Sequence, residues 1–255
     1  MLTRDLMWLI FILIVVLTVW GAQFRSTGEP VLSPPRGTNT IIEPATTQNS
    51  ETPKTEIKIS APGIVTAIAD REYIIIQNSG DTPIAMSGLS LRNKRNETVT
   101  IGFDTQGSRM ILAPNEKAVI VTGKSPRSGN FKVNSCTGYF AQFQTFMPTL
   151  STSCPRLSSL DAAKNLVESC RDYVSSIRSC QFPASIPTNI TSVCNDFIQQ
   201  HAGYQGCVKD HQSDKDFDKK EWRIYLNRGT EFWRNGDETI EVRSAEGKLL
   251  GSRTL

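Results

Sequence analysis

Residues Glu72-Tyr73-Ile74-Ile75-Ile76-Gln77-Asn78 run directly into Ser79-Gly80-Asp81. An aromatic residue and three β-branched residues in a row, closed by turn formers, mark a strand that ends in a tight turn. The same pattern repeats on both sides. Ile57, Ile59 and residues 64–68 open a β-rich section ahead of it. Behind it, Ser87 to Arg92 alternates at Leu89 and Leu91, Asn93 to Asn96 is a polar turn, and Thr98 to Phe103 alternates again. Met110-Ile111-Leu112 leads into the turn Ala113-Pro114-Asn115-Glu116, and Ala118 to Val121 is a short buried strand. Short strands between Gly, Pro and Asn turns predict a mainly β, antiparallel sandwich.

After Val121 the strand pattern stops. Leu160, Ala163, Val167, Cys170, Val174 and Ile177 recur at spacings of three and four, which predicts a helix from Ser158 or Ser159 to about Cys180. Ile190, Val193, Cys194, Phe197 and Ile198 predict a second helix from about Thr188, ended by Gly203. Pro183 and Pro187 separate the two. Past the polar stretch Lys209 to Lys220, strand signals resume at Trp222 to Leu226, Phe232-Trp233, Thr239 to Val242 and Lys248 to Leu250. The expected organisation is therefore a β-domain over 56–255, interrupted by a helical, cysteine-rich insertion at about 136–221.

The chain has 255 residues, 38% hydrophobic and 21% charged, with a formal net charge of +3. Its 11 Phe, 4 Trp and 5 Tyr exclude a wholly disordered chain. A single long apolar run excludes a multi-span membrane protein. That run, Leu6 to Ala22, sits at the lower limit of a spanning helix and above the usual length of a signal-peptide core. Trp8 and Trp20 near its ends favour a retained single-pass anchor over 1–22, with a cleaved signal as the alternative. Residues 23–55, with Pro30, Pro34, Pro35, Pro44 and Pro53, form a Ser/Thr/Pro-rich linker that is expected to stay solvated. Either reading of the apolar run places the β-domain outside the cytoplasm.

The cysteines agree with that compartment. Six of them lie between Cys136 and Cys207, none in a C-x-x-C pair, as expected of a disulfide framework. If the two helices form a hairpin, Cys180 faces Cys194, Cys170 reaches Cys207, and Cys136 is left with Cys154. The rival use of these thiols is a zinc site built from Cys194, His201, Cys207 and His211, but no tight ligand pair is present. Asp214-Lys215-Asp216-Phe217-Asp218 imitates the opening of a calcium loop, yet Lys219 and Tyr225 stand where glycine and glutamate belong. No metal and no cofactor is expected.

Three other groups bear on function. Arg92, Lys94 and Arg95, with Arg109, Lys117, Lys124, Arg127 and Lys132, make the first β-half basic. They are the candidate contacts to an anionic polymer, although no aromatics are interleaved to stack on nucleic-acid bases. Tyr139, Phe140, Phe143, Phe146 and Met147 form an aromatic cluster that either packs the insertion onto the sandwich or lines a ligand groove. The carboxylates Glu238 and Glu241 read as surface charge. No nucleophile elbow, zinc-protease helix, phosphate loop or dinucleotide fingerprint occurs, so no catalytic residue is assigned.

Several groups in order are similar to one family: Glu72-Tyr73-Ile74 with Asn78, Ser87 to Leu91, Leu112 to Glu116, and Trp233 to Ile240 with Gly247-Lys248. Together they resemble the lamin tail domain, an immunoglobulin-like sandwich of nuclear lamins and many exported bacterial proteins. The likeness covers roughly 56–123 and 222–255. Cys136 to Tyr139 and Glu221 to Leu226 look like a bacterial variant that carries an insertion. The resemblance implies an exported adaptor or surface module without known catalytic residues. The expected function is a non-catalytic binding or scaffolding module at the cell surface, held to the membrane by its N-terminal run. Its partner would be a protein, a wall polymer or extracellular nucleic acid. The alternatives are a metal-dependent hydrolase using the polar loop 210–221, or a purely structural envelope protein.

Overall fold

The Tyr73–Asn78 segment is an inner strand of a sheet in a computed structural model that describes residues 56–255. The expected membrane segment Leu6 to Ala22 and the linker 23–55 lie outside the described residues. Eleven strands follow in chain order: β1 (Ile57–Ser60), β2 (Tyr73–Asn78), β3 (Ile84–Ala85), β4 (Ser90–Arg92), β5 (Thr98–Thr100), β6 (Ile111–Leu112), β7 (Lys117–Val121), β8 (Phe131–Asn134), β9 (Asp218–Tyr225), β10 (Thr239–Arg243) and β11 (Leu249–Thr254). They form a five-stranded sheet in the order β1-β2-β7-β9-β8, a four-stranded sheet β11-β10-β4-β5, and a small ribbon β3-β6.

The two larger sheets close on one core. Ile59, Ile74, Ile76, Ala118, Ile120, Trp222 and Ile224 from the first meet Leu91, Ile240 and Val242 from the second. The strands are antiparallel with one exception: β9 runs parallel to β7, Ile120 opposite Ile224. The expected all-antiparallel arrangement is corrected at this point. A parallel neighbour requires a long crossover, and the insertion supplies it.

The pair is buried on both faces, which explains the unbroken apolar run Ala118-Val119-Ile120-Val121. Ala118 and Ile120 point into the sandwich. Val119, Val121 and Tyr225 point outward and are covered by Phe140, Phe146 and Leu150 of the insertion. Arg223, also outward and buried, bonds Glu221 at 2.6 Å and donates to the carbonyls of Pro148 and Thr149. The insertion is thus held to the sheet by apolar contact and by a guanidinium.

The insertion occupies 135–217, between β8, a strand not foreseen in the sequence, and β9. The single long helix expected from 158 to 180 is broken. A 3-10 turn Leu157–Ser159, α1 (Asp161–Lys164) and α2 (Glu168–Ser176) replace it. Leu160 and Val167 are extended, and each short helix starts with an acid, Asp161 or Glu168, where the helix dipole favours one. Val167 consequently turns out to solvent, although Ala163, Cys170 and Val174 keep the buried face that the spacing predicted. α3 (Ser192–His201) is capped by the Thr191 side chain, which accepts from the Cys194 amide. Val193, expected on its buried face, is exposed. Gly203, with φ +87°, ends α3 as expected but opens α4 (Gly203–His211) at once.

Buried polar side chains hold the irregular segments. Phe232-Trp233 is not a strand; both rings are fully buried, and their amides donate to the Glu72 carboxylate at 2.8 and 3.1 Å. Glu238, expected at the surface, is fully buried and accepts from the amides of Lys94, Arg234 and Thr239. Asn78 donates to the carbonyls of Thr82 and Leu112, and Asn93 to that of Phe232. Chain without a ladder must pair its backbone groups in some other way, and these side chains provide it.

Burial pushes the Glu72 carboxyl above its ordinary value of 4.5, against the opposing pull of the Phe232 amide. The folded chain therefore holds more proton there than the unfolded chain does. This stabilising contribution is fully present below 4.5 and is lost as pH rises through the raised folded value. Glu72→Gln should place an amide nitrogen against one of the two N–H donors and destabilise the domain by about 1–3 kcal/mol. It should also remove the decline in stability contributed by this group. Urea unfolding of both proteins across pH 4 to 8 measures both effects.

Candidate functional site

The insertion is stapled by Cys136–Cys207, Cys154–Cys180 and Cys170–Cys194. Three bridges are present as expected, but the expected pairing (Cys180–Cys194, Cys170–Cys207, Cys136–Cys154) is corrected at every cysteine. The reason lies in the broken helix. Cys170, in the first turn of α2, packs against Cys194 in the first turn of α3. Cys180 lies beyond the end of α2 with φ 60°, in a turn that brings the chain back to Cys154. Cys207 lies on α4, which carries it to Cys136 at the base of the insertion.

Two of these bridges hold the walls of a cleft of about 190 Å³, lined by Arg127, Phe140, Phe143, Gln144, Phe182 and Tyr204, among others. Cys136 immediately precedes the 3-10 turn Thr137–Gln142, whose end brings Phe140 and, just after it, Phe143 and Gln144 to the cleft. Phe182 follows Cys180 by two residues, and Tyr204 precedes Cys207 by three. Gln142 ties two walls together: its amide nitrogen donates to the Phe182 carbonyl at 2.7 Å, and its oxygen accepts from the Phe182 amide at 2.9 Å. Gly138 sits where a Cβ would run into Cys180 Sγ and lie 2.6 Å from the Ser151 carbonyl, so only glycine admits both neighbours.

The aromatic floor is continuous. The rings of Phe140 and Tyr204 are 4.3 Å apart, and the Tyr204 hydroxyl accepts from Asn134 at 3.1 Å. Arg127, from the loop between β7 and β8, lays its guanidinium 3.7 Å from the Phe140 ring centre. This cation has no acidic partner among the described residues. Phe143 is 79% exposed at the rim. Gln144 Oε1 is buried there without a hydrogen-bond partner. Tyr139, at the back of the cleft, has its hydroxyl pKa raised by burial, opposed by the Gly203 backbone.

Other candidates are placed differently. The aromatic cluster divides: Phe140 and Phe146 pack on the sheet, while Phe143 and Met147 reach solvent. Arg92 meets Glu241 at 4.0 Å and Asn96 at 2.7 Å, Lys94 pairs with Asp237, and Arg95 pairs with Glu97 at 3.0 Å. Each of the three therefore already has an acidic neighbour, and β-turn geometry rather than an open basic face accounts for their clustering. Cys194 and Cys207 are consumed by disulfides, which removes the sulfur ligands of the supposed zinc set. His201 pairs with Asp210 and His211 with Asp214, both at 2.7 Å. Among the described residues no group of three or more His, Cys, Asp or Glu is placed to hold a metal ion. The expected polar loop 210–221 is the end of α4, a turn, and the start of β9, and Asp218 stands opposite Asn134 in the sheet.

Arg127 was legible only as one basic residue among eight. Gln142, Gln144, Phe182 and Tyr204 carried no signal beyond their nearness to cysteines. No protein-family model matches the chain, and no curated protein matches it. Gly138→Ala should destabilise the oxidised protein by about 1–3 kcal/mol through overpacking. Guanidinium unfolding, with the bridges verified intact, is the check, and Gly229→Ala, a loop position with open space around it and no left-handed backbone, serves as comparison.

Proposed function

We propose that this chain is a non-catalytic binding module working outside the cytoplasm, and that the cleft between sandwich and insertion is its binding surface. The observation that carries the reading is the unpaired guanidinium of Arg127 over Phe140, beside the exposed ring of Phe143, in walls tied by disulfides. An unneutralised cation on an aromatic floor next to a large exposed apolar ring has the composition of interface hot spots. Disulfide bracing keeps such a site preorganised, which lowers the cost of ordering it on binding.

The oxidised cysteines support an oxidising compartment. With the apolar run Leu6 to Ala22, they favour a module tethered to the cell membrane, with secretion after cleavage as the alternative. The lamin-tail, immunoglobulin-like reading draws support from two packed sheets and from the roles of the motif residues. Glu72, Asn78, Glu116 and Glu238 all accept from or donate to backbone of irregular segments, which is what a recurrent scaffold motif would be kept for. The insertion adds the recognition surface that the plain sandwich lacks.

Intact mass of the exported protein, with thiol labelling, tests the compartment and the tether. No labelled cysteine before reduction and six after it are expected, with residues up to about Gly21 still present. Six reactive thiols before reduction would sink the extracytoplasmic reading. The cleft is tested by Phe143→Ser, which should weaken retention of the displayed protein on cell-surface material at least tenfold and leave the unfolding midpoint unchanged.

A further inference from the structure

We infer that the cleft receives a carboxylate side chain of an extended peptide segment from a partner protein, with Arg127 as the residue that selects it. The inference rests on the cleft being the binding surface and adds the chemistry of its occupant.

Three requirements come from the walls. The guanidinium of Arg127 lies over the Phe140 ring, 3.7 Å from its centre, so its ring-facing side is occupied by π contact, and its N–H groups have no acceptor among the described residues. A planar fork of donors with no acid beside it matches a carboxylate bidentately. Gln144 Oε1, buried and unpartnered, calls for an incoming donor. Phe143 and Phe182 offer apolar surface next to both. An extended segment meets all three at once: an Asp or Glu side chain to Arg127, a backbone N–H to Gln144, and an apolar neighbour side chain on Phe143.

The dimensions agree. A volume of about 190 Å³ lies below the roughly 300–1,000 Å³ of sites that enclose a whole small molecule, so the cleft fits one side chain with its neighbours left outside. A chain-terminal carboxylate is the weaker match, because its capture relies on several converging backbone amides, whereas a single guanidinium faces this cleft.

The test uses the full chain in detergent, oxidised, titrated by fluorescence anisotropy with a library of end-capped hexapeptides. Each peptide carries one Glu or Asp beside Leu or Phe, and each has a Gln or Asn counterpart. Capped acidic peptides are expected to bind at least tenfold more tightly than their amide counterparts. Arg127→Gln should abolish that preference and Arg127→Lys should reduce it several-fold, while Phe143→Ser should weaken both peptide sets. Thermal unfolding and the thiol count of each variant establish that the fold is retained. Equal binding of acidic and amide peptides, still lost with Phe143→Ser, would overturn the carboxylate assignment and leave the cleft as the binding surface. Binding confined to peptides with a free C-terminus, or to polygalacturonate as an acidic saccharide, would overturn the assignment in the same way. No response of any probe to Arg127→Gln or Phe143→Ser would overturn both readings.

Discussion

The parallel seam between β7 and β9 is the constraint on which the rest of the structure depends. Once β9 lies between β7 and β8, Trp222 and Ile224 fill the sandwich while Arg223 and Tyr225 face the other way. The sheet then has no face suited to water, and something must cover the outer side. The crossover that parallel pairing requires is the same stretch of chain that provides the cover. Closing so long an excursion costs conformational entropy. The Cys136–Cys207 bridge, spanning 71 residues at the base, limits that cost by restricting the unfolded chain, and the chain-entropy model assigns such a bridge several kcal/mol. Arg223, bound to the carbonyls of Pro148 and Thr149, then sets the insertion in one orientation on the sheet.

A second principle governs the segments that belong to neither sheet. Residues 227–238 form no strand; most of the segment is exposed, and Phe232, Trp233 and Glu238 turn into the interior. Glu72 and Glu238 act there as fixed acceptors, one for the amides of Phe232 and Trp233 and the other for those of Lys94, Arg234 and Thr239. Burying a carboxylate without a countercharge is expensive, and the raised pKa of Glu72 records that expense. The return is that Phe232 and Trp233, the largest fully buried side chains, are held in place by their own backbone. In this molecule Glu72 and Glu238 shape the scaffold, and the proposed binding surface lies elsewhere.

The cleft proposed for binding lies where scaffold and insertion meet. The covering segment contributes Phe140 to the sheet and leaves Phe143 outside it, one helical turn further on. The loop that starts from β7 brings Arg127 over the same ring. The cleft is therefore a consequence of docking one substructure on another, and the disulfides brace its walls. Rigid walls with a single unneutralised cation suit selectivity by charge and geometry more than adaptation to many partners.

Periodicity and turn chemistry alone determined most of the β architecture, because strands such as Tyr73–Asn78 and Lys117–Val121 are encoded by residues adjacent in sequence. The even cysteine count likewise determined that there would be three bridges. The outcomes that differed all depended on distant partners. The long helix read from Leu160 to Ile177 broke at Asn165 to Val167, where local spacing cannot register the pull of a core shared with α3. The cysteine pairing followed from that break. β9 became parallel because both its faces had apolar partners in the fold, and Glu238 went inside because the backbone amide of distant Lys94 converges on it with those of Arg234 and Thr239. The cleft was least legible, since Arg127, Gln144, Phe182 and Tyr204 lie far apart along the chain and share no period. A sequence pattern reports which face of an element seeks burial; which surface buries it, and what is left open between the two, is settled only by packing.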